Sequence, residues 1–232
     1  MVNFRVAGVI VAAGVGQRLG QRSGSVPKAL RVLRGRTLLA RSLVPVAAVA
    51  DELVVAGPGD QLALVRREVA DCPVPTQVVG GGDTRQASVR CALEAVSPTV
   101  DFVLVHDAAR PLAPVEMVTR VVSALGDGAA AVVPTVRVVD SLRRVEADGD
   151  STPLDRATVR AVQTPQGFRR QVLLEAHQRA SCETATDDAG LVEATGVRVT
   201  LVDGADQAFK ITTPHDWRVA EMLLGDEIED QR

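Results

Sequence analysis

Aromatic side chains are scarce in this chain of 232 residues, which has no tyrosine, four phenylalanines and one tryptophan. Proteins that bind single-stranded nucleic acid usually stack its bases on aromatic rings within a positively charged groove. The formal net charge is -3, so there is also no general attraction for a polyanion or an anionic membrane surface. We therefore expect neither nucleic acid nor a membrane among the partners of this protein.

Cysteines are few and widely separated. Cys72, Cys91 and Cys182 are odd in number and form no CxxC pair, which argues against a disulfide framework and against a cysteine-ligated zinc site. Buried thiols in a reducing compartment are the better interpretation, and we expect a cytoplasmic protein.

Long apolar runs are also missing. The segment 6–13 follows Arg5 and superficially resembles a signal peptide, but it is short and Gly14 follows at once. A buried first strand of a parallel sheet is the better interpretation. No other apolar run approaches the roughly 20 residues that are needed to span a membrane.

Lysine is nearly absent, since the chain has 24 arginines but only two lysines, Lys28 and Lys210. An ammonium group is a compact point charge on a flexible stem, whereas a guanidinium is a planar fork. The two lysines are either kept for this compact charge or have survived by chance. The sequence motifs around each lysine distinguish between these interpretations.

Apolar runs that predict strands alternate with stretches that predict helices. Strands are expected at residues 6–11, 52–56, 76–79, 102–105 and 130–134, and helices at 37–50, 61–70, 83–96 and 114–125. Such alternation is typical of βαβ units and of a mostly parallel sheet covered by helices on both faces. We therefore predict an α/β fold of three layers, Rossmann-like, as a single domain over residues 1–232. Ligands in such sheets bind in the loops after the strands.

Three predicted helix starts carry explicit signals. Asp83 is followed by a glutamine three residues later, a capping-box spacing that makes Asp83 the predicted N-cap. Thr213 precedes Pro214 and an acid in the first turn. The segment 186–188, Thr-Asp-Asp, is a third such start.

The segment 136–162 interrupts the alternation with mixed polar and β-branched residues around Asp148-Gly149, a strong hairpin signal. We predict a β-arm that projects from the sheet. Such an arm can be a surface hairpin without a role, but exposed strand edges and β-branched residues favour a contact between two copies of the chain. We therefore expect a homodimer formed through residues 136–162.

A loop of small residues follows the first predicted strand. It runs Ala12-Ala13-Gly14-Val15-Gly16-Gln17-Arg18-Leu19-Gly20, and Pro27-Lys28 comes soon after. Small residues let a ligand approach the backbone, whose free N–H groups can bind phosphates. The glycine spacing matches neither G-x-G-x-x-G nor G-x-x-x-x-G-K-[ST]. With Arg18 and Lys28, the loop predicts a site that encloses a polyphosphate and places cations over it.

This pattern resembles the signature of the nucleotidyltransferases, and further motifs extend the resemblance to the 2-C-methyl-D-erythritol 4-phosphate cytidylyltransferases. These motifs follow one another along nearly the whole chain: Gly81-Gly82-Asp83-x-Arg85-x-x-Ser88, His106-Asp107-Ala108-Ala109-Arg110-Pro111, Asp140-Ser141, Asp155-Arg156, Gln163-Thr164-Pro165-Gln166-Gly167-Phe168, Thr186-Asp187-Asp188-Ala189 and Phe209-Lys210-Ile211-Thr212. The chain departs from the family at Val11, Ser141 and Gly190, where proline, threonine and serine are common.

The resemblance implies a nucleotidyltransferase fold and a reaction between CTP and a polyol phosphate. The substrate phosphate would attack the α-phosphorus of CTP, and pyrophosphate would leave in line. Because the attacking phosphate is already an anion near neutral pH, the protein mainly has to position the reactants and neutralise charge. Mg²⁺ or another divalent cation is the implied cofactor.

The resemblance also implies a role for each candidate site residue. The catalytic cations would be Arg18, Lys28, Arg156 and Lys210. The nucleotide would be bound by Ala12, Ala13, Gly14, Gly16, Gly82, Asp83 and Ser88. The polyol phosphate would be bound by Asp107, Ala108, Arg110, Ser141, Arg156, Thr186 and Lys210. Ser141 and Arg156 would reach across the dimer into the neighbour's site. Asp107 would also hold the metal, since Mg²⁺ prefers carboxylate oxygens together with substrate phosphates, and His106 would support Asp107 structurally.

Three alternatives stay open at this point. A sister enzyme such as a ribitol-5-phosphate cytidylyltransferase would share the fold and the mechanism, although Ala108-Ala109 and the motif at 186–189 favour methylerythritol phosphate. An NAD-binding oxidoreductase needs an acid at the end of the second strand, where this chain has Gly57-Pro58-Gly59. A non-catalytic nucleotide sensor would be expected to have lost catalytic cations that this chain retains.

Overall fold

The protein is described by a computed structural model that covers residues 4–14, 26–180 and 186–229. These residues form twelve strands: Val6–Val11 (β1), Val32–Leu33 (β2), Arg36–Thr37 (β3), Glu52–Gly57 (β4), Thr76–Gly80 (β5), Phe102–Asp107 (β6), Ala131–Arg137 (β7), Leu142–Val145 (β8), Ser151–Leu154 (β9), Arg160–Val162 (β10), Gln166–Arg169 (β11) and Val199–Asp203 (β12). They also form seven α-helices: Leu38–Ala47 (α1), Leu62–Glu68 (α2), Arg85–Ala95 (α3), Val115–Gly126 (α4), Arg170–Arg179 (α5), Asp188–Glu193 (α6) and Pro214–Glu229 (α7).

An eight-stranded sheet lies at the centre of the fold. Its strands follow the order β10-β7-β11-β6-β1-β4-β5, with β12 beside β7. The neighbours β5, β4, β1 and β6 are parallel, as are β12 and β7, whereas β11 and β10 run antiparallel to their neighbours. The predicted α/β fold with a mostly parallel sheet is confirmed. Because β1, β4, β5 and β6 point the same way, the loops that follow them meet at one edge.

Helices cover both faces of the sheet, because alternate residues of a strand point to opposite sides. In β1, Ile10 belongs to a buried cluster with α1, α2 and α4, whereas Val9 belongs to one with α3, α5 and α6. In β6, Leu104 and Val105 divide between the same two clusters. The predicted three layers are therefore present. Among the described helices, none combines the length and the apolar character that a membrane span requires. That residues 1–232 form one domain stays a prediction.

The predicted β-arm consists of a hairpin and of strands that belong to the main sheet. Strands β8 and β9 form a separate antiparallel pair, closed by a turn in which Gly149 has a φ of 93°. The ends of the segment 136–162 instead belong to β7 and β10, which pair with each other in the main sheet. Val139 is 77% exposed and Val145 is 70% exposed, so the arm presents apolar side chains to solvent.

Two of the predicted helix starts are capped as expected and the third needs a correction. Thr213 accepts a hydrogen bond from the backbone of Asp216 at the start of α7, and Asp187 caps α6. The N-cap of α3, however, is Thr84, whose hydroxyl accepts from the backbone N–H of the third helical residue. The prediction of Asp83 as this cap is wrong, because α3 begins at Arg85 and the residue directly before it is Thr84.

Candidate functional site

A pocket of about 400 Å³ opens where the loops after β1, β5 and β6 converge, at the edge of the sheet that the fold predicts for ligands. Ten predicted site residues line it: Ala12, Ala13, Gly14, Lys28, Gly82, Asp83, Ser88, Asp107, Ala108 and Lys210. Val11, Ala29, Thr84, Arg85, Ala109 and Thr212 complete the lining. Both lysines of the chain therefore lie on one pocket, although they are far apart in sequence.

The floor of the pocket continues the hydrogen bonding of the sheet beyond the ends of the strands. The N–H of Ala12 donates to the carbonyl of Ala56 at 2.8 Å, and the N–H of Ala108 donates to the carbonyl of Val11 at 3.1 Å. The first residues of both loops are thereby fixed by the strands next to them. The backbone that would meet a ligand is consequently held in place before the ligand arrives.

Two glycines allow the loop after β5 to lie against its neighbours, Gly81 against the loop after β1 and Gly82 against the first turn of α3. A Cβ atom at Gly81 would come within 2.5 Å of the Ala13 side chain and 2.9 Å of the Ser88 hydroxyl. A Cβ at Gly82 would come within 2.5 Å of a side chain of α3. The Ser88 hydroxyl also lies within hydrogen-bonding distance of the carbonyls of Thr84 (2.9 Å) and Gly82 (3.2 Å). Only glycine permits this approach, which closes one wall of the pocket.

Asp107 is the main negative charge of the pocket. Its Oδ1 accepts from Nε of Arg85 at 3.1 Å, and its Oδ2 accepts from Nζ of Lys210 at 2.7 Å. Its backbone N–H donates to the hydroxyl of Thr164 at 3.0 Å. Burial by itself would raise the pKa of Asp107, but Arg85 and Lys210 outweigh burial and hold that pKa well below its usual range. Asp107 is therefore an anion at neutral pH.

His106 lies fully buried beneath Asp107 and is neutral. Its Nε2 lies 3.2 Å from the carbonyl of Arg110, and its Nδ1 lies 3.1 Å from the hydroxyl of Thr164. Since a carbonyl oxygen only accepts, Nε2 carries the proton and Nδ1 accepts from Thr164. Burial lowers the pKa of His106 to about 4. The ring thus positions Thr164, which in turn holds the backbone of Asp107.

Three charged or polar side chains receive no role from the sequence motifs alone: Arg85 on the lining of the pocket, and Asp188 and His177 behind it. Arg85 donates from Nη1 to Asp188 at 2.6 Å, in addition to its contact with Asp107. Asp188 also accepts from Nε2 of His177 at 2.9 Å. Burial by itself would lower the pKa of Arg85, but Asp188 and Asp107 outweigh it and raise that pKa above its ordinary value. Arg85 and Asp188 do occur in two of the motifs, which is the signal that could have found them.

Two predicted substrate residues lie outside the lining of this pocket in the described structure. The guanidinium of Arg110 donates to the carbonyls of Ala208 at 2.8 Å and Val162 at 3.1 Å, so it braces the backbone on the far side of Asp107. Thr186 is exposed and directly precedes the cap of α6. The structure therefore places neither side chain on the pocket, and their contact with substrate stays a prediction.

The two predicted residues of the arm, Ser141 and Arg156, are exposed and also lie outside the lining of the pocket. Arg156 donates to the carbonyl of Val139. It lines a second cavity of about 560 Å³ at the base of the arm, together with Arg137 and Arg160. A single chain does not bring Ser141 or Arg156 to the pocket that holds both lysines.

The remaining predicted residues, Gly16 and Arg18, lie outside the described part of the chain. Their expected contacts with the phosphates of CTP stay predictions.

The pocket residues fit a metal ion that arrives together with a nucleotide. Within the described ranges, no three His, Cys, Asp or Glu side chains cluster as a metal site. Mg²⁺, however, is usually held by one or two carboxylates and by substrate phosphates, not by a cage made only of protein. Asp107 keeps a free lone pair on each oxygen beyond the one that its cation occupies. Asp83, the other acid on the lining, is exposed at the rim.

Sequence comparison relates the chain to proteins of one kind. A family model for 2-C-methyl-D-erythritol 4-phosphate cytidylyltransferase matches residues 6–226. The chain is 47% identical to the protein of that name from Frankia casuarinae, over 98% of this chain and 85% of the relative. It is 45% identical to the one from Deinococcus radiodurans, over 95% of this chain and 90% of the relative.

Solved structures give the same relationship. The 2-C-methyl-D-erythritol 4-phosphate cytidylyltransferase of Thermus thermophilus superposes with a TM-score of 0.75 at 39% identity, covering 93% of this chain and 97% of that one. The 4-diphosphocytidyl-2C-methyl-D-erythritol synthase of Anaerococcus prevotii superposes with a TM-score of 0.84 at 26% identity, covering 96% and 99%. The similarity therefore extends over nearly the whole fold.

Proposed function

Because the chain belongs to the 2-C-methyl-D-erythritol 4-phosphate cytidylyltransferase family, we propose that it transfers the cytidylyl group of CTP to 2-C-methyl-D-erythritol 4-phosphate. The products are CDP-methylerythritol and pyrophosphate, in the synthesis of isoprenoid precursors. The observation that carries this proposal is the convergence of Lys28, Lys210 and Asp107 on one pocket at the loop edge of the sheet.

In this proposal, each of the two lysines neutralises a different phosphate charge. Lys28 would bind the phosphates of CTP, beside the loop of small residues, and Lys210 would bind the attacking phosphate. Bringing two anions together in line is the main obstacle, and positioned cations lower it. They also stabilise the charge that develops on the five-coordinate phosphorus. No general base is required, which agrees with a His106 that is enclosed and neutral.

The nucleoside end of CTP would be bound chiefly by backbone. Ala12, Ala13 and Gly14 present main-chain groups on one side of the pocket, and Gly82 presents them on the other. Backbone N–H and carbonyl groups can read the edge of a base without an aromatic platform, which suits a chain with so few aromatic residues. Asp83, which is not used as a helix cap, is free to contact the nucleotide from the rim.

We propose Mg²⁺ as the cofactor and Asp107 as its protein ligand. When bound, the ion would neutralise the phosphate charge of CTP and act as a Lewis acid on a phosphoryl oxygen. Lys210 contacts one oxygen of Asp107 in the free protein, but its side chain is 39% exposed and flexible enough to turn toward a phosphate. Asp107 would then be shared between Arg85 and the ion.

We further propose a cytoplasmic homodimer in which Ser141 and Arg156 complete the pocket of the neighbouring chain. Both residues lie outside the pocket of their own chain, and the exposed Val139 and Val145 lie on the same arm. Burial of these valines against a second copy would remove apolar surface from water. Cys72 and Cys91 are free thiols, which agrees with a reducing compartment, although both are half-buried and not buried as predicted.

The proposed reaction is tested by measuring pyrophosphate release from CTP and Mg²⁺ with methylerythritol phosphate and with ribitol 5-phosphate side by side. We expect turnover with methylerythritol phosphate and little with ribitol 5-phosphate. Turnover only with ribitol 5-phosphate would identify the sister activity instead. No turnover with either substrate would contradict the proposed function.

A further inference from the structure

A row of charged side chains runs from the pocket into the helices behind it. Lys210 and Arg85 contact the two oxygens of Asp107 at 2.7 and 3.1 Å, and Arg85 contacts Asp188 at 2.6 Å. His177, on α5, contacts the other oxygen of Asp188 at 2.9 Å. The side chains of Asp188 and His177 are 1% and 3% exposed, so this end of the row does not meet substrate.

At the buried end of the row, both oxygens of the Asp188 carboxylate are paired. A buried carboxylate is costly unless it is both paired and hydrogen bonded, and Asp188 has one oxygen on Arg85 and the other on His177. Burial by itself would raise the pKa of Asp188, but His177 and Arg85 hold it below its usual range. Because an ionised carboxylate only accepts, Nε2 of His177 carries the proton in this contact. Asp188 is therefore a fixed negative charge with a fixed orientation.

Arg85 connects this fixed charge to the pocket. A guanidinium is a rigid planar fork, so the contact of Nη1 with Asp188 sets the direction from which Nε meets Asp107. The third nitrogen, Nη2, is buried and makes no hydrogen bond within the described part of the chain. The two carboxylates, Asp188 and Asp107, are therefore the groups that orient Arg85.

We infer that Asp188 is a positioning residue for cytidylyl transfer, because it anchors the Arg85 guanidinium that holds the Asp107 carboxylate in place. His177 holds Asp188 in turn and belongs to the same support. The inference rests on the proposed function, since it concerns the placement of Asp107 for that reaction. Neither Asp188 nor His177 touches substrate in this scheme.

The direct test is Asp188→Asn, which keeps the shape of the side chain and removes its charge. Groups that orient a functional ligand typically contribute 10- to 100-fold in activity, so we expect kcat to fall by about that factor. The KM for CTP should change little, because the Asp188 carboxylate is hydrogen bonded to Arg85 and His177, and neither is one of the residues predicted to bind the nucleotide. A kcat equal to that of the wild type would overturn the inference while leaving the proposed function intact.

A double-mutant cycle with Asp107→Asn separates positioning from general stability. If Asp188 acts through Asp107, adding Asp188→Asn to Asp107→Asn lowers kcat little further, and the two effects are not additive. If Asp188 only stabilises the fold, it lowers kcat by the same factor in both backgrounds, which would overturn the inference. Absence of turnover in the wild type would instead contradict the proposed function itself.

Two further variants keep the test decisive if Asp188→Asn does not fold. Arg85→Lys retains the charge but loses the rigid planar fork that fixes the geometry between the two carboxylates. Its effect on kcat should likewise be non-additive with that of Asp107→Asn. His177→Gln retains a donor for Asp188 and should keep most of the kcat that His177→Leu loses. The matched control is Glu193→Gln, which removes an exposed carboxylate from the same helix and should leave kcat unchanged. Additive effects of Arg85→Lys and Asp107→Asn, or equal losses in the two His177 variants, would overturn the inference.

Discussion

At the scale of single residues, the two lysines are used differently from the arginines of this protein. The other permanently charged cationic side chains are arginines, yet both ammonium groups lie on the same pocket. An arginine in place of Lys210 would meet Asp107 as a bidentate fork, a stronger and more directional pairing than that of an ammonium. Such a pair would resist the exchange of Asp107 for a substrate phosphate that the proposed reaction needs.

We predict that Lys28→Arg and Lys210→Arg each lose most activity. By analogy with the loss of one transition-state donor, kcat/KM should fall roughly 100- to 1,000-fold. Steady-state pyrophosphate release measures this, and CTP binding to the same variants separates binding from turnover. Arg218→Lys is the matched control, because it makes the reverse exchange at an exposed position outside the pocket. Wild-type kinetics in either lysine variant would show that its ammonium is not specifically needed.

Single residues were predictable from sequence where a motif follows a strand, and not where two distant segments meet. Asp107 and Gly82 follow predicted strands, whose carboxyl ends share one edge, so their convergence could be expected. The contact between Arg85 and Asp188 joins residues 103 positions apart and depends on the fold that brings α3 and α6 to the same face of the sheet. No rule of sequence spacing predicts such a contact. The pairing of Asp188 with His177, which are 11 positions apart, was also missed, because it depends on how α5 packs against α6.

Among the elements, the arm differs most from the rest of the fold. Arg137 and Arg160 lie directly opposite each other on β7 and β10, and with Arg156 they line one cavity that contains no acid among its described residues. Like charges in opposite positions destabilise a strand pair. Three guanidinium groups without a carboxylate are suited to an anion supplied from outside the chain, as the proposed contact of Arg156 with a substrate phosphate requires.

We predict that Arg156 acts on the neighbouring chain, and a mixing experiment tests it. Arg156→Ala and Lys210→Ala should each be nearly inactive, whereas mixed dimers of the two would contain one intact site. Random exchange in a two-fold dimer would restore about a quarter of all sites. The control mixes Lys28→Ala with Lys210→Ala, which share one pocket and should not complement. No recovery in the first mixture, with subunit exchange verified, would contradict action across the dimer.

At the scale of the whole molecule, buried ionisable groups make stability depend on pH. His106 has a pKa of about 4 in the folded protein and 6.5 as its ordinary value. Between these values the unfolded chain binds a proton that the folded chain does not. The stabilisation is therefore complete above pH 6.5 and is lost as pH falls toward 4.

We predict that the free energy of unfolding decreases from pH 6.5 to 4 by up to about 1.4 kcal/mol per pH unit through His106. His106→Gln keeps a donor near the Arg110 carbonyl and removes this titration. Denaturant unfolding of both proteins at a series of pH values measures the difference, which isolates His106 from the other groups that titrate. Parallel curves for the two proteins would contradict the prediction.

The overall architecture was predictable because strands that are buried on both faces of a sheet consist of continuous apolar residues. The continuous apolar runs at β1, β4 and β6 indicate burial on both faces, and their alternation with helical stretches is typical of βαβ units. The residues at which the arm begins and ends were harder to predict from the sequence. β10 has only three residues and all of them are exposed, so its side chains carry no burial pattern from which the pairing with β7 could be predicted.

The scarcity of lysine also determines where a reagent that acylates amines can modify the protein. Apart from a terminal amine, its primary amines are Lys28 and Lys210, and both line the pocket. A general acylating agent, which modifies many surface positions on most proteins, is here directed to one cleft. An unselective amine reagent therefore labels the pocket as an affinity label would, and a ligand bound in the pocket would protect both lysines from modification.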